Sequence, residues 1–443
     1  MLRDLYLPRG GGAPGPEEWR RLKRRKLFGG LVEALSRKPY AELTVADLAE
    51  VSGVDRNDFY RAFPDKDACL LAAVDRLYRH AEEVAAIAYA TQEDWESGIR
   101  AGWEAIVATI ASQPDAARMA LVEVYATGAP GAALVDDALV RLELLLSHSL
   151  GLDERRAGMP SEIVAAVASG MQMVLHHRLR KKDKGAVREV AGELIDWALS
   201  YETPPRPLRE GAPARWHRCV PVEEGREEKI VRAVAGISAD PSLSLTAEQV
   251  AAQGRISLST LYKHCKDGEG DYKDCTGPEG AFLTAFDAIC RRSFAVCFAF
   301  YQGDEEWPVR MHSVNHPLFS FLATEPGFAK TVLVDVLGAG ARALGHRDEA
   351  LEPFRQLLTE GYALNPQAPK IAEEAIVYAV YSLAGRVVAR EGAAALPHLA
   401  PTATYLELAP FVGADRAARI ANRTPRVAVA GGARRPATEP VPG

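Results

Sequence analysis

The sequence predicts an all-α protein laid out as two consecutive copies of one helical plan. Three observations carry this expectation. Apolar residues recur at three- and four-residue spacing through nearly the whole chain, and no stretch alternates as a half-buried strand does. A proline-rich run, TPPRPLREGAPARWH from Thr203 to His217, interrupts the helical pattern near the middle of the 443 residues and has the composition of a linker. Beyond it the first half returns at constant offsets. Thr246 answers Thr44 and Tyr262 answers Tyr60 without a gap, and the same offset pairs Ser238 with Ser36, Pro241 with Pro39 and Leu245 with Leu43. After an insertion between Cys265 and Pro278, a second constant offset pairs Ala285 with Ala73, Trp307 with Trp95, Pro326 with Pro114, Leu333 with Leu121 and Glu374 with Glu162. Shared helical composition does not hold register over such distances, so the chain reads as a tandem duplication.

In order, residues 1–18 are rich in glycine and proline and read as a flexible arm carrying Arg3 and Arg9. Helical pattern runs from Trp19 to Ser200, with breaks at Pro39, Gly53, Pro64, Pro114, Pro130, Gly151 and Pro160. Its first helix carries Arg20, Arg21, Lys23, Arg24, Arg25 and Lys26, a local positive run in a chain whose net charge is −6. The next stretch, TVADLAEVSGVDRNDFYRAF from Thr44 to Phe63, describes two short helices across a tight turn. Thr44 is a good N-cap, and Val45, Leu48 and Ala49 share one face. Gly53 supplies the left-handed residue at which the first helix ends. Val54 plugs the corner, Asp55 caps the second helix, and Phe59 and Phe63 bury it. Arg56, Asn57, Asp58, Tyr60 and Arg61 are left to face outward. This is a helix-turn-helix, the arrangement that lays its second helix in a DNA major groove.

The run continuing through PDKDACL resembles the DNA-binding head of TetR-family transcriptional regulators, with an aromatic doublet (Phe59, Tyr60), a phenylalanine (Phe63) and a lysine (Lys66) after the turn. Ala62, where the family often has histidine, and Asp58, in place of a small hydroxyl residue, depart from it. The resemblance implies a double-stranded DNA operator as partner. Tyr60 and Arg61 would hold phosphates, Lys66 would sit at another phosphate with the next helix's N-terminus, and Arg56 and Asn57 would reach base edges beside Thr44 and Asp58. In the second copy the corresponding residues are Ser257, Ser259, Thr260, Tyr262, Lys263 and His264. That head is diverged: Arg255 replaces the turn glycine, Cys265 replaces the core phenylalanine, and Pro278 stands where Lys66 stood. Its basic run has become Glu223, Glu224, Glu227 and Glu228 around Arg226, Lys229 and Arg232.

The resemblance further implies that the remaining helices of each copy form a larger domain holding a small-molecule inducer, and that its last two helices pair with a partner. Those helices are expected at 161–180 with 185–201 and at 370–391 with 403–413, the second pair weakened by Pro397 and Pro401. The partner is expected within the chain, as a pseudo-dimer, with a homodimer as the other arrangement. Residues expected to line the ligand sites are Trp103, Met119, Tyr125 and Met171 in the first copy and Phe286, Trp307 and Tyr378 in the second. The expected organisation is an arm (1–18), a first head (19–70), a first helical domain (71–201), a linker (202–222), a second head (223–280), a second helical domain (281–420) and a disordered tail (421–443).

Other classes lack support. The first residues have no apolar core before a cleavage site and no segment is long enough to span a bilayer, so neither signal peptide nor membrane anchor is expected and the cytoplasm is the expected location. The six cysteines form no C-x-x-C pair, and Cys265, Cys275, Cys290 and Cys297 have an oxidant-sensing role as their sharper reading and burial as their plainer one. Adjacent His176 and His177 point about 100° apart on a helix, so no metal is expected. VLVDVLGAGARA, Val332 to Ala343, imitates a dinucleotide-binding turn, but its first-copy counterpart ALVEVYATGAPG lacks the glycines. No nucleophile elbow or zinc-protease helix appears. The function expected is that of a repressor, released from DNA by a small apolar ligand, with neither cofactor nor enzymatic activity. The rival is a ligand-binding or interaction module that no longer reads DNA.

Overall fold

The computed structural model describes residues 16–181, 186–214, 225–240, 242–266 and 277–424. Most of the expected arm, the insertion and nearly all of the expected tail lie outside these residues, as do Cys219 and Cys275. Among the described residues the regular structure is helical, with no strand. Val332 to Ala343 runs from one helix through a short turn into another, so the imitation of a dinucleotide-binding unit has no sheet behind it.

The first half contains α1 (Pro16–Arg37), α2 (Val45–Ser52), α3 (Arg56–Ala62), α4 (Lys66–Ala90), α5 (Trp95–Ser112), α6 (Pro114–Leu121), α7 (Ala129–Leu150), α8 (Ser161–Arg180), α9 (Ala186–Glu189) and α10 (Ala191–Leu199). The second half contains α11 (Arg226–Ala239), α12 (Ala247–Gly254), α13 (Leu258–Lys266), α14 (Gly277–Tyr301), α15 (Trp307–Thr324), α16 (Pro326–Leu333), α17 (Ala341–Leu358), α18 (Ala372–Glu391), α19 (Ala400–Val412) and α20 (Ala414–Ala421). Pro114 and Pro326 open α6 and α16, where a missing N–H leaves no intrahelical bond unmade, whereas Pro317, Pro353 and Pro410 lie inside α15, α17 and α19. Of the two prolines expected to weaken the second pair of closing helices, only Pro401 opens a helix in this way. Pro397 falls in the turn that joins α18 to α19, and Pro401 sits in the first turn of α19.

Helices α1, α2 and α3 close around Leu27, Leu31, Leu48, Val54, Phe59 and Phe63, a core that runs on into the first body through Leu70 and Val74 on α4, Met119 and Tyr125 at and after α6, and Val135 and Leu139 on α7. The corresponding helices α11, α12 and α13 have no core of their own. Ile230, Val234, Val250 and Leu261 belong to one apolar cluster that runs on through both bodies. Gly327 on α16 shows how tightly α11 is seated, since a Cβ there would lie 2.2 Å from the Ala235 carbonyl oxygen.

The bodies meet where α8 crosses α18. Gly170 makes the crossing close: a Cβ on it would stand 2.8 Å from the Ala379 Cβ and 3.0 Å from the Ala375 carbonyl oxygen. Around this contact the polar links are reciprocal. The Tyr201 hydroxyl donates to the Leu406 carbonyl at 2.9 Å, and the Tyr405 hydroxyl donates to the Glu202 carbonyl at 2.6 Å. Asp348 on α17 pairs with His177 and Arg180 at the end of α8, while Asp136 on α7 pairs with Arg386 and Arg390 at the end of α18. Burial of Asp348 opposes its charge, but the His177 hydrogen bond and the adjacent Arg347 and Arg180 outweigh it and hold this carboxyl well below the ordinary range.

The described part of the proline-rich segment is docked rather than free. The Arg209 N–H donates to Asn422 Oδ1 at 2.7 Å and the Ala214 N–H to Ser320 Oγ at 2.8 Å. A Cβ on Gly211 would come within 2.0 Å of the Pro397 carbonyl oxygen, which fixes the segment against the turn before α19.

Candidate nucleic-acid interface

The first head is built by local chemistry. Thr44 Oγ1 accepts the Asp47 N–H at 3.2 Å while Asp47 Oδ2 accepts the Thr44 N–H at 2.7 Å, a reciprocal cap that starts α2. Lys38 pairs with Asp47 and, with Thr44, holds the Asp47 carboxyl down to about 2. Gly53 takes φ 62 and ψ 29, the left-handed turn that only glycine enters without a Cβ penalty. Asp55 Oδ1 then accepts the Asp58 N–H at 2.9 Å and caps α3.

On α3, Arg56, Asn57, Tyr60 and Arg61 face solvent, and Tyr60 stands edge-on to buried Phe59. Asp58, expected outside, is instead 7% exposed. Helix α1 packs behind α3 and places Lys23 Nζ 2.9 Å from Asp58 Oδ2, so this carboxylate closes the head and does not present itself outward. Beside it Arg24 lies over the Phe63 ring at 4.7 Å, and Arg20, Arg21 and Lys26 are exposed along α1. The result is a bare α3 surface flanked by cations.

Lys66 opens α4 and points its ammonium back, donating to the Tyr40 carbonyl at 3.1 Å and lying 4.3 Å over the Tyr40 ring. Tyr40 also ties the head to the body: its N–H donates to Glu123 Oε2 at 3.4 Å, and Glu123 is held by Arg118 at 2.7 Å. No spacing rule joins Tyr40, Lys66 and Glu123, so sequence reasoning missed this chain of contacts.

In the second head Thr246 caps α12 by accepting the Gln249 N–H at 3.2 Å, and Ser257 caps α13 by accepting the Thr260 N–H at 3.0 Å. Ser259 and Thr260 also bond the Ser257 hydroxyl, at 2.8 and 2.7 Å. Tyr262 and Lys263 are exposed and His264 is half-buried. The turn residue Arg255 has φ 51 and ψ 45 and is the one non-glycine residue with positive φ among those described. Arg255→Gly is therefore expected to stabilise the protein by about 0.5–1 kcal/mol, the relief of a left-handed L-residue less the added freedom of the unfolded chain. Denaturant titration checks it, and a lower midpoint would contradict the assignment of strain. On α11 Arg232 bonds Glu228 and Glu325, and Arg291 and Arg292 of α14 bond Glu227 and Glu228; in the first head Arg21 pairs with Glu17, and Lys23 and Arg61 both pair with Asp58.

Each body encloses a cavity. The first holds about 1340 Å³ of space not filled by atoms, partly open to solvent, between α4, α5, α6, α7 and α8. The second, likewise partly open to solvent, holds about 920 Å³ of space not filled by atoms between α14, α15, α16, α17, α18 and α19. Of the residues expected to line ligand sites, Trp103 borders the first and Phe286 the second. Met119 and Tyr125 pack into the first head's core, and Met171 is buried in the continuous body core. Trp307 donates its indole N–H to the Leu357 carbonyl at 2.7 Å, and the Tyr378 hydroxyl reaches Asp348 Oδ1 at 3.2 Å. The second cavity also holds Asn315 and Glu407, which no motif marks. Cys290 and Cys297 are reduced, and burial pushes both thiols far up, against a reactive role. The side chain of Cys265 lies outside the described residues.

Residues 30–73 match the family model described as "Bacterial regulatory proteins, tetR family". The match spans α2, α3 and the adjoining parts of α1 and α4, and the second head lies outside it. The chain is 36% identical over 85 residues to the HTH-type transcriptional regulator EthR of Mycolicibacterium smegmatis, a match covering 19% of this chain and 39% of that protein. The chain thus spans well under half the length of this curated relative. Among solved structures it is similar to the fatty acid degradation regulator FadR from Bacillus halodurans, at 13% identity and a TM-score of 0.38 over 42% of this chain and 97% of that one. It is also similar to a TetR family transcription regulator from Marinobacter aquaeolei VT8, at 16% identity and a TM-score of 0.34 over 41% and 97% of the two chains. No described helix is long and apolar enough to cross a membrane, and no group of three or more metal-ligating side chains occurs among the described residues.

Proposed function

We propose that this chain is a TetR-type DNA-binding transcriptional regulator, a repressor released by a small ligand, built from two such units that pair within one polypeptide. The observation that carries the reading is the first head: a capped recognition helix whose Arg56, Asn57, Tyr60 and Arg61 face solvent beside a basic α1. Arg61 and Tyr60 hold phosphates, Arg56 and Asn57 read base edges, and Lys66 brings positive charge to the N-terminus of α4. The second head contributes less, because acidic residues stand where the first head has its basic run and its helices are merged into the body core.

The duplication is supported by matching element starts, such as Trp95 and Trp307 for α5 and α15, and by the reciprocal ion pairs of Asp136 and Asp348. Release follows from the shape of α4. It begins in the head at Lys66 and lines the first cavity with Leu77, Tyr78, Ala81 and Ala85, so a ligand that displaces its middle also moves its head end. Helix α6 lines the same cavity and leads into the turn whose Glu123 holds Tyr40.

Selection of an operator from a random duplex pool, repeated with two variants, tests the reading. Arg61→Ala is expected to weaken all duplexes alike, whereas Asn57→Ala changes which sequences are selected. Equal loss of sequence preference in both would contradict the roles assigned. Pairing within the chain predicts a mass near 48.0 kDa by light scattering at micromolar concentration. A mass of twice that would mean that chains pair with one another.

A further inference from the structure

The second cavity is lined by Phe286, Phe319, Phe354, Leu318 and Val380, and into these apolar walls α19 delivers a single carboxyl group, that of Glu407. Glu407 is 8% exposed. Asn315 Nδ2 donates to its Oε2 at 2.7 Å and reaches Thr404 Oγ1 at 3.1 Å. No cation pairs with Glu407 among the described residues. Arg347 borders the same cavity; its Nε and Nη2 bond Asp348 Oδ1 at 3.1 and 2.7 Å, and only its Nη1 is left without a hydrogen-bond partner. One neutral donor does not replace the hydration of a carboxylate, so the ionised form of Glu407 has no positive charge to balance it. The first cavity differs: its carboxylate, Glu82, is already bonded by Arg141 Nε at 2.7 Å.

We propose that the second cavity binds an amphiphilic organic cation, an alkyl- or arylalkylammonium, with its charged nitrogen on Glu407 and its apolar body against Phe286, Phe319 and Phe354. The proposal rests on reading the cavity as a ligand site. The ammonium supplies the missing charge-assisted hydrogen bond, and the aromatic walls take the chain. Burial pushes the empty carboxyl up to about 8, against which the Asn315 hydrogen bond is the smaller influence. At neutral pH the empty site is therefore mostly the protonated acid, and seating an ammonium releases that proton to solvent. Other titratable groups facing Glu407 do not compete. Cys297 on α14 and Tyr201 after α10 are both pushed up by burial and stay neutral in this range.

Calorimetry on the full chain with n-octylammonium, octan-1-ol and octanoate between pH 6 and 9 tests this, since an alkylammonium, like lysine, stays charged below about pH 10. Octylammonium is expected to bind tightest, with an affinity that rises about tenfold from pH 6 to 7 and levels off above about pH 8, as one proton is released below that point. Octanol should show no such slope. In Glu407→Gln the preference for the cation and its pH slope should vanish while octanol binding remains. Octylammonium binding no tighter than octanol, tighter binding of octanoate, or an unchanged preference in the variant would overturn the proposal while leaving the cavity reading in place. Binding of none of the three would overturn both. The wild-type pH series stands alone should the variant fail to fold.

Discussion

Phe59→Ala is expected to destabilise the first head by about 3–5 kcal/mol and to abolish duplex binding. Phe59 is fully buried, lies 6.3 Å from the Phe63 ring and fills the space where α1, α2 and α3 meet. The core it leaves is distinct from the cluster that fills the second half, although it reaches α4, α6 and α7. Loss should therefore be local. Hydrogen exchange is expected to show α1 to α3 losing protection while α14 to α19 keep theirs, because the second half belongs to a different apolar cluster. Uniform loss of protection through both halves would show that the first head is not a separately stabilised unit.

Gly170→Leu is expected to cost about 3 kcal/mol through overpacking, and more if the two bodies separate. Even a methyl at this position would lie 2.8 Å from the Ala379 Cβ and 3.0 Å from the Trp197 ring, so a full leucine must push α8 off α18. The reciprocal bonds of Tyr201 and Tyr405 span the same contact and would stretch with it. Guanidinium unfolding should show a lower midpoint, and limited proteolysis should open the junction between the halves. An unchanged midpoint would mean that the crossing has room the geometry does not reveal.

What was legible in the sequence was short in range. The capping of α2 by Thr44, the left-handed Gly53, the Asp55 cap and the inward Phe59 and Phe63 depend on neighbours within four residues, and each is found where spacing placed it. Asp58 was misread because its environment is set by Lys23, across a helix crossing that no periodicity encodes. Residue type alone also failed to separate cavity wall from core. Met119 and Tyr125 are as apolar and as helical in spacing as Trp103, but they face the head and Trp103 faces the cavity. Glu407 gave no signal at all, since a glutamate within the apolar run TYLELAPF looks like the exposed edge of a helix until α15 and α18 are seen to cover it. Prolines misled in the opposite direction, predicting weakness at Pro401 where the first turn of α19 accepts it.

On the function proposed above, the first head holds duplex DNA through α3 and its basic flank. Fluorescence anisotropy of the full chain with random-sequence duplex, taken over a range of salt concentrations, measures this directly. The expected result is binding whose logarithm falls linearly with the logarithm of salt, with a slope shallower by about 0.9 in Arg61→Ala, one phosphate contact fewer. No binding at low salt, or a slope that Arg61→Ala leaves unchanged, would contradict the assignment of this surface to DNA.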